Sequence, residues 1–318
     1  MPIDLTRPAR TAVRQCLGIS PGETVLVVTD PPCAEVAEAL WQAAREAGAE
    51  TLMLRLAPRR VHGEEPPALV AEAMSQAEAS FLVTSCSLTH TSARRRASAA
   101  GARLATMPNI TPDIFTRALD ADYGPIRDLT LRVGEILERS SEARVTSPAG
   151  TDLTLNLAGR AAVLDTGIYT EPGSFGNLPA GEAYIAPVEG TAEGLVVVDG
   201  SMAGVGSLDA PIRIEVRAGR ARSVYGGRGA RELDAILAQQ GDDARNLGEL
   251  GIGTNGKARI IGHILEDEKV LGTVHVALGA NASFGGMVQV ACHLDGILKA
   301  PSLWVDGRQI MRDGDLLV

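Results

Sequence analysis

The sequence predicts an α/β N-terminal domain with a parallel sheet, followed by a mostly β (α+β) C-terminal domain. Three observations lead there. Over the first ~140 residues, short apolar runs alternate with helical patterns, the rhythm of βαβ units. Beyond Ser140 glycine becomes frequent and short β-rich runs take over. Aromatic residues are only 3% of a chain that is 45% hydrophobic, so Ala, Val, Leu and Ile must fill the core. At 318 residues there is room for two domains of roughly 150 residues each. They are expected at 1–143 and 144–318.

Each element has its own signal. Thr24 to Thr29 is an apolar run of strand length, ended by Asp30-Pro31-Pro32. A helix follows, with apolar positions at Ala34, Val36, Ala37, Leu40 and Trp41, and stops near Gly48. Thr51 to Leu56 reads as the next strand, and Pro67 to Ser75 as a helix with proline near its start. Ser80 to Thr84 and Leu104 to Met107 are further strands, the latter before a helix opened by Thr111-Pro112-Asp113. A helical pattern from Ile126 to Arg139 leads out of this half. The β runs of the second half are Leu153 to Leu157, Leu195 to Val198, Ile212 to Val216, Val274 to Leu278 and Leu303 to Val305. Asp306-Gly307 and Asp313-Gly314 are turn signals, and one helix, Gly229 to Gln239, interrupts the strands.

Composition narrows the function classes. A net charge of −9 and scarce aromatics argue against nucleic acid, whose phosphates and bases call for cations and stacking rings. Arg94-Arg95-Arg96 is the densest cationic run and is expected to be a solvated helix face. Cys16, Cys33, Cys86 and Cys292 show no paired spacing, which fits a reducing compartment rather than a disulfide framework. The opening Met1-Pro2-Ile3-Asp4 has no basic region leading into an apolar run, and no stretch approaches the ~18 apolar residues of a membrane span. A cytoplasmic protein without membrane contact is expected.

The chemistry-bearing residues gather in the second half. His293-Leu294-Asp295 on an extended segment points an imidazole and a carboxylate to one face, because strand side chains alternate. His275 lies in the apolar strand pattern Val274 to Leu278, while Glu182 and Glu249 sit among small and apolar residues. A buried carboxylate there requires a cation or hydrogen-bond donors. Each residue alone has an ordinary structural reading. Together, Glu182, Glu249, His275, His293 and Asp295 form a set suited to two divalent metal ions, or to one ion with spare carboxylates. In the first half, Ser87-Leu88-Thr89-His90-Thr91 follows a strand, where α/β proteins place functional groups, although a helix-capping segment is the simpler reading. His62 and His263 are expected at the surface. No phosphate-cradling glycine loop and no Gly-x-Ser-x-Gly elbow is present.

Asn177-Leu178-Pro179-Ala180-Gly181-Glu182, Gly248-Glu249, His275-Val276-Ala277-Leu278-Gly279 and His293-Leu294-Asp295 resemble the thermophilic metalloaminopeptidase family, of the aminopeptidase T and aminopeptidase S type. Pro21-Gly22-Glu23 and Asp267-Glu268 extend the resemblance through most of the chain. It implies a homodimer and two divalent ions (Zn, Co or Mn) held by Glu182, Glu249, His275, His293 and Asp295. It also implies a hydrolase that cleaves a small peptide or amide substrate with metal-activated water, assisted by Glu249. Where that family has a tyrosine seven positions after its first histidine, this chain has Ala282, so a donor to the tetrahedral intermediate is missing. More distantly the chain resembles the 2,5-dihydroxypyridine 5,6-dioxygenases, which implies one Fe(II) ion and a non-haem ring-cleaving activity, with His293 and Asp295 as shared ligands. Retention of both glutamates favours the hydrolase, with the dioxygenase as alternative. A metal-stabilised scaffold without catalysis is the third reading.

Overall fold

The computed structural model describes residues 3–318, so the first two residues of the opening segment lie outside it. One compact unit runs to Arg127 and takes in Asp165–Ala180; the other comprises Asp128–Leu164 and Gly181–Val318. The division differs from the expected boundary at 143/144 in two ways. It falls inside the helix Tyr123–Arg139, and the chain returns after Leu164 to complete the first unit. The reason for the return is a sheet edge. Leu104, Ala105 and Thr106 pair in parallel with Phe175, Gly176 and Asn177, which covers backbone groups that would otherwise be left open. A three-residue strand is too short to show a periodicity.

The first unit is the expected α/β domain. Its five strands lie in the order Glu50–Arg55, Thr24–Thr29, Ala79–Val83, Arg103–Thr106, Phe175–Asn177, all parallel. Every residue of Thr24–Thr29 after the first is buried, as both-sided cover by helices requires. The helix Ala34–Glu46 buries Val36, Ala37, Leu40, Ala43 and Ala44. Leu26, Val28, Met74, Leu82 and Leu104 share one apolar cluster of small and branched side chains. The arginine run departs from expectation. Arg95 and Arg96 are exposed, but Arg94 is buried, donates from Nε to the Thr89 carbonyl at 2.7 Å and stacks 3.6 Å over the Phe175 ring. A planar guanidinium can be buried when a ring face and a carbonyl replace water.

The second unit is mostly antiparallel β. An eight-stranded sheet includes Glu142–Thr146, Asp152–Asn156, Glu193–Val198, Ile212–Arg217 and Ser302–Val305. A seven-stranded sheet carries, as neighbours, Ser201–Met202, His293–Leu298, Val274–Gly279, Leu247–Gly253 and Glu182–Ile185. Leu153, Val196, Ile214 and Leu303 of the first sheet share one core with Ile185, Leu250, Ile252, Val276 and Leu298 of the second. The sheets therefore meet face to face. Leu247–Gly253 was not legible as a strand, because three of its seven residues are glycines, yet all seven are buried. All four cysteines are free, and no helix among the described residues is long and apolar enough to cross a membrane.

Candidate metal centre

Four neighbouring strands of the seven-stranded sheet build the centre by alternation. Leu250, Ile252, Val274, Val276, Leu294 and Leu298 point into the shared core. Their neighbours in sequence therefore point to the opposite face. Register then lines them up: Glu249 pairs with Ala277, which pairs with Asp295; Gly251 pairs with both Tyr184 and His275; Gly253 pairs with Glu182; Gly279 pairs with His293. Donors thus alternate with glycine and alanine, and the small residues leave the room that the donors fill. A Cβ on Gly251 would lie 1.9 Å from His275 Nε2. A bulge between Leu247 and Glu249 lets Leu247 face the core while Glu249, two residues on, faces the centre.

The five expected ligands share this face but are not equivalent. Glu249, His293 and Asp295 each offer an atom within 4.8 Å of the other two. His293 Nε2 lies 3.3 Å from Glu249 Oε2 and 3.3 Å from Asp295 Oδ1. Its Nδ1 is 2.8 Å from the Ala280 carbonyl, and a proton donated there leaves Nε2 as a lone pair aimed at the carboxylates. His275 approaches from the other side, with Nε2 3.1 Å from Glu249 Oε1 and 3.3 Å from Glu182 Oε2. Its Nδ1 has no hydrogen-bond partner among the described residues. Glu182 gives its other oxygen, Oε1, to the Lys269 ammonium at 2.5 Å, and Glu268 Oε1 lies 2.6 Å from the same ammonium. Glu182, Glu249, His275 and Asp295 are buried, whereas the His293 side chain is 32% exposed and marks the accessible side.

Proton affinities follow from this packing. Burial works against the imidazolium form of both histidines, yet Glu182 and Glu249 hold His275 well above the ordinary histidine value, and Asp295 with Glu249 does the same for His293. Burial would also raise the carboxyl groups. Asp295 is nevertheless drawn down to about 2 by His293, and Glu182 is drawn below its usual range by Lys269 and His275. Glu268 goes the other way: burial lifts it to about 8 against the pull of Lys269. Carboxylates that face imidazole nitrogens across 3.1–3.3 Å offer converging lone pairs suited to a divalent cation, which would take the place of the imidazole protons.

Sequence reasoning passed over Lys269, Glu268 as its partner, and the aromatic pair Tyr184 and Phe284. Phe284 meets His293 edge-on at 5.6 Å between ring centroids, and Tyr184 meets Phe284 in the same way at 5.4 Å. The alternation Glu182-Ala183-Tyr184 was the available signal for the tyrosine; nothing local announces that Lys269 is buried. Ala282 is exposed on the loop that carries Phe284. His90 is exposed in the first unit, and its segment does cap a helix: Thr91 accepts from Arg94 N at 3.2 Å at the start of Ser92–Ala99. His62 is exposed as expected, while His263 is half-buried.

Residues 4–318 match the family of 2,5-dihydroxypyridine 5,6-dioxygenases (NicX). A curated relative of that name from Pseudomonas putida is 25% identical over 224 residues, covering 65% of this chain and 62% of that protein's length. The aligned stretch therefore spans less than two thirds of the relative. Among solved structures, the 2,5-dihydroxypyridine dioxygenase from Pseudomonas putida aligns with a TM-score of 0.87 at 19% identity, over 100% of this chain and 99% of that one. AmpT from Thermus thermophilus aligns with a TM-score of 0.71 at 20% identity, over 99% of each chain.

Proposed function

The chain belongs to the 2,5-dihydroxypyridine 5,6-dioxygenase family, and on that premise we propose that it is a metal-dependent dioxygenase that opens a dihydroxylated pyridine ring. The observation that carries this reading is the family match along nearly the whole chain, joined to a buried carboxylate–imidazole set with one accessible side. The hydrolase expectation yields to it. What links this chain to aminopeptidase T is the fold, and the exposed Ala282 offers no donor for a tetrahedral intermediate.

Glu249, His293 and Asp295 would hold the ion, with His275 alongside on the second oxygen of Glu249. Imidazole and carboxylate donors suit Fe(II). A bound ferrous ion would supply the oxygen chemistry. The protein's own residues do the rest. The Ala280 carbonyl fixes the His293 tautomer, and His275, hydrogen-bonded at Nε2, orients Glu249. Phe284 packs against the His293 ring and Tyr184 packs behind Phe284, an aromatic neighbourhood that would suit a flat ring substrate.

Anaerobic reconstitution with Fe(II), followed by oxygen uptake on addition of 2,5-dihydroxypyridine, tests the reading. One oxygen consumed per ring lost is expected, with both iron retention and uptake abolished in His293→Ala and Asp295→Ala. Amide hydrolysis by the zinc- or cobalt-loaded protein, without oxygen uptake by the ferrous form on any dihydroxypyridine, would overturn it in favour of the hydrolase.

A further inference from the structure

The buried lysine at the edge of the centre has no counterpart in the expected ligand set. Lys269 is wholly buried, and its ammonium sits between two carboxylates, 2.5 Å from Glu182 Oε1 and 2.6 Å from Glu268 Oε1. Its backbone is held at both ends: Lys269 N donates to the Glu266 carbonyl at 3.0 Å, and Asn255 N donates to the Lys269 carbonyl at 2.8 Å. Asp267, two residues earlier, accepts from Ile261 N, Gly262 N and Ser201 Oγ, which ties down the turn that delivers the lysine. Gly253 makes the delivery possible, since a Cβ there would lie 2.1 Å from the Val270 carbonyl oxygen. This is a prepositioned cation, not a surface lysine folded inward.

Its place in the cluster has a consequence for ion number. A two-ion centre in this face would need Glu182 as a ligand of the second ion, beside His275. Lys269 takes Glu182 Oε1, which leaves Oε2, 3.3 Å from His275 Nε2, as the carboxylate oxygen open to a second ion, and any ion bound there would lie within a few ångströms of a fixed positive charge in a poorly screened site. Charge balance agrees. Glu182, Glu249, Glu268 and Asp295 supply at most four negative charges; Lys269 with one divalent ion supplies three positive charges, and with two divalent ions five. Only the first leaves the buried cluster without excess positive charge.

We propose that the Lys269 ammonium is a built-in second cation, which occupies the Glu182–Glu268 end of the centre and restricts this chain to a single divalent ion. This deepens the single-ion reading above and rests on it. The class of ligand excluded is a second divalent metal, and the discriminating residue is one positioned by backbone rather than by substrate.

The test is ion stoichiometry by elemental analysis and zinc titration, read without any turnover. The native chain is expected to hold one zinc, Lys269→Met two, and Lys269→Arg one, because the charge is kept. A native chain that holds two ions overturns the inference while leaving the metal centre standing; a native chain that holds none overturns both. A folded Lys269→Met that still holds one ion also overturns it. If Lys269→Met does not fold, Glu182→Gln decides. With Glu182 serving the ammonium, the single ion should bind within about threefold of native affinity, and a loss beyond about tenfold would assign Glu182 to the ion instead.

Discussion

Each imidazole of the centre can accept a proton or an ion on its carboxylate-facing nitrogen, and not both at once. In the ion-free protein His275 and His293 hold their protons well above the ordinary histidine value. A raised histidine contributes stability that is fully present below the unfolded value of about 6.5 and is lost as pH rises through the folded one. Glu268, lifted to about 8, acts in the same direction, because the folded chain keeps a proton that the unfolded chain has released. The ion-free protein should therefore lose stability as pH is raised above about 7, by up to about 1.4 kcal/mol per pH unit for each proton involved, and its melting temperature should fall with it. Ion binding should weaken as pH falls. Calorimetry across a pH series with and without ion checks both, and an ion-free melting temperature that rises with pH would sink the assignment of protons. Arg94 gives a second prediction at this scale. Arg94→Met keeps the stem but removes the ring stacking and the bond to Thr89, and should cost about 1–3 kcal/mol in urea unfolding. The cationic run was visible in the sequence; that one of three arginines turns inward depended on Phe175, 81 positions away.

At the scale of the strand, the centre is a pattern of donors and gaps. Glycine at 251 is required not by its own backbone but by the ring of His275 on the neighbouring strand. Gly251→Ala should leave the sheet folded, with helical and β circular dichroism close to native, while cutting ion affinity by about a hundredfold as His275 and Glu249 are displaced. An alanine variant that binds as tightly as native would show that the ring has slack the geometry denies. His-x-Asp was legible because period two needs only three residues, and Val274 to Leu278 because its apolar run is unbroken. The strand Leu247–Gly253 and the bulge that turns Glu249 outward were not, since its glycines erase the hydrophobic alternation that identifies a strand. The burial of Lys269 was equally hidden, because it depends on a backbone approach across Gly253 and not on any local pattern.

At the scale of the whole chain, the two-part organisation and the α/β-then-β order were readable from the change of texture near Ser140. The return of Asp165–Ala180 to the first unit was not, since sheet-edge pairing is decided by distant partners. The family assignment likewise reversed the order of the two activities weighed from the sequence: the retained glutamates counted toward a second ion, and one of them is bound to Lys269. Because every donor lies between Glu182 and Asp295, added Zn(II) or Fe(II) should slow amide exchange in the second unit, most in the strands Leu247–Gly253, Val274–Gly279 and His293–Leu298. Hydrogen–deuterium exchange with and without ion checks this, and protection centred on the first unit would move the ion elsewhere. The interleaving of donors across four strands also sets a timetable. During synthesis, the growing chain has no complete pocket until the segment bearing His293 and Asp295 has left the ribosome and paired with Val274–Gly279. A metal ion thus cannot template this fold from the start, as it can in a small zinc domain. An ion held by Glu249, His293 and Asp295 would be the last component to arrive, bound by strands that have already paired.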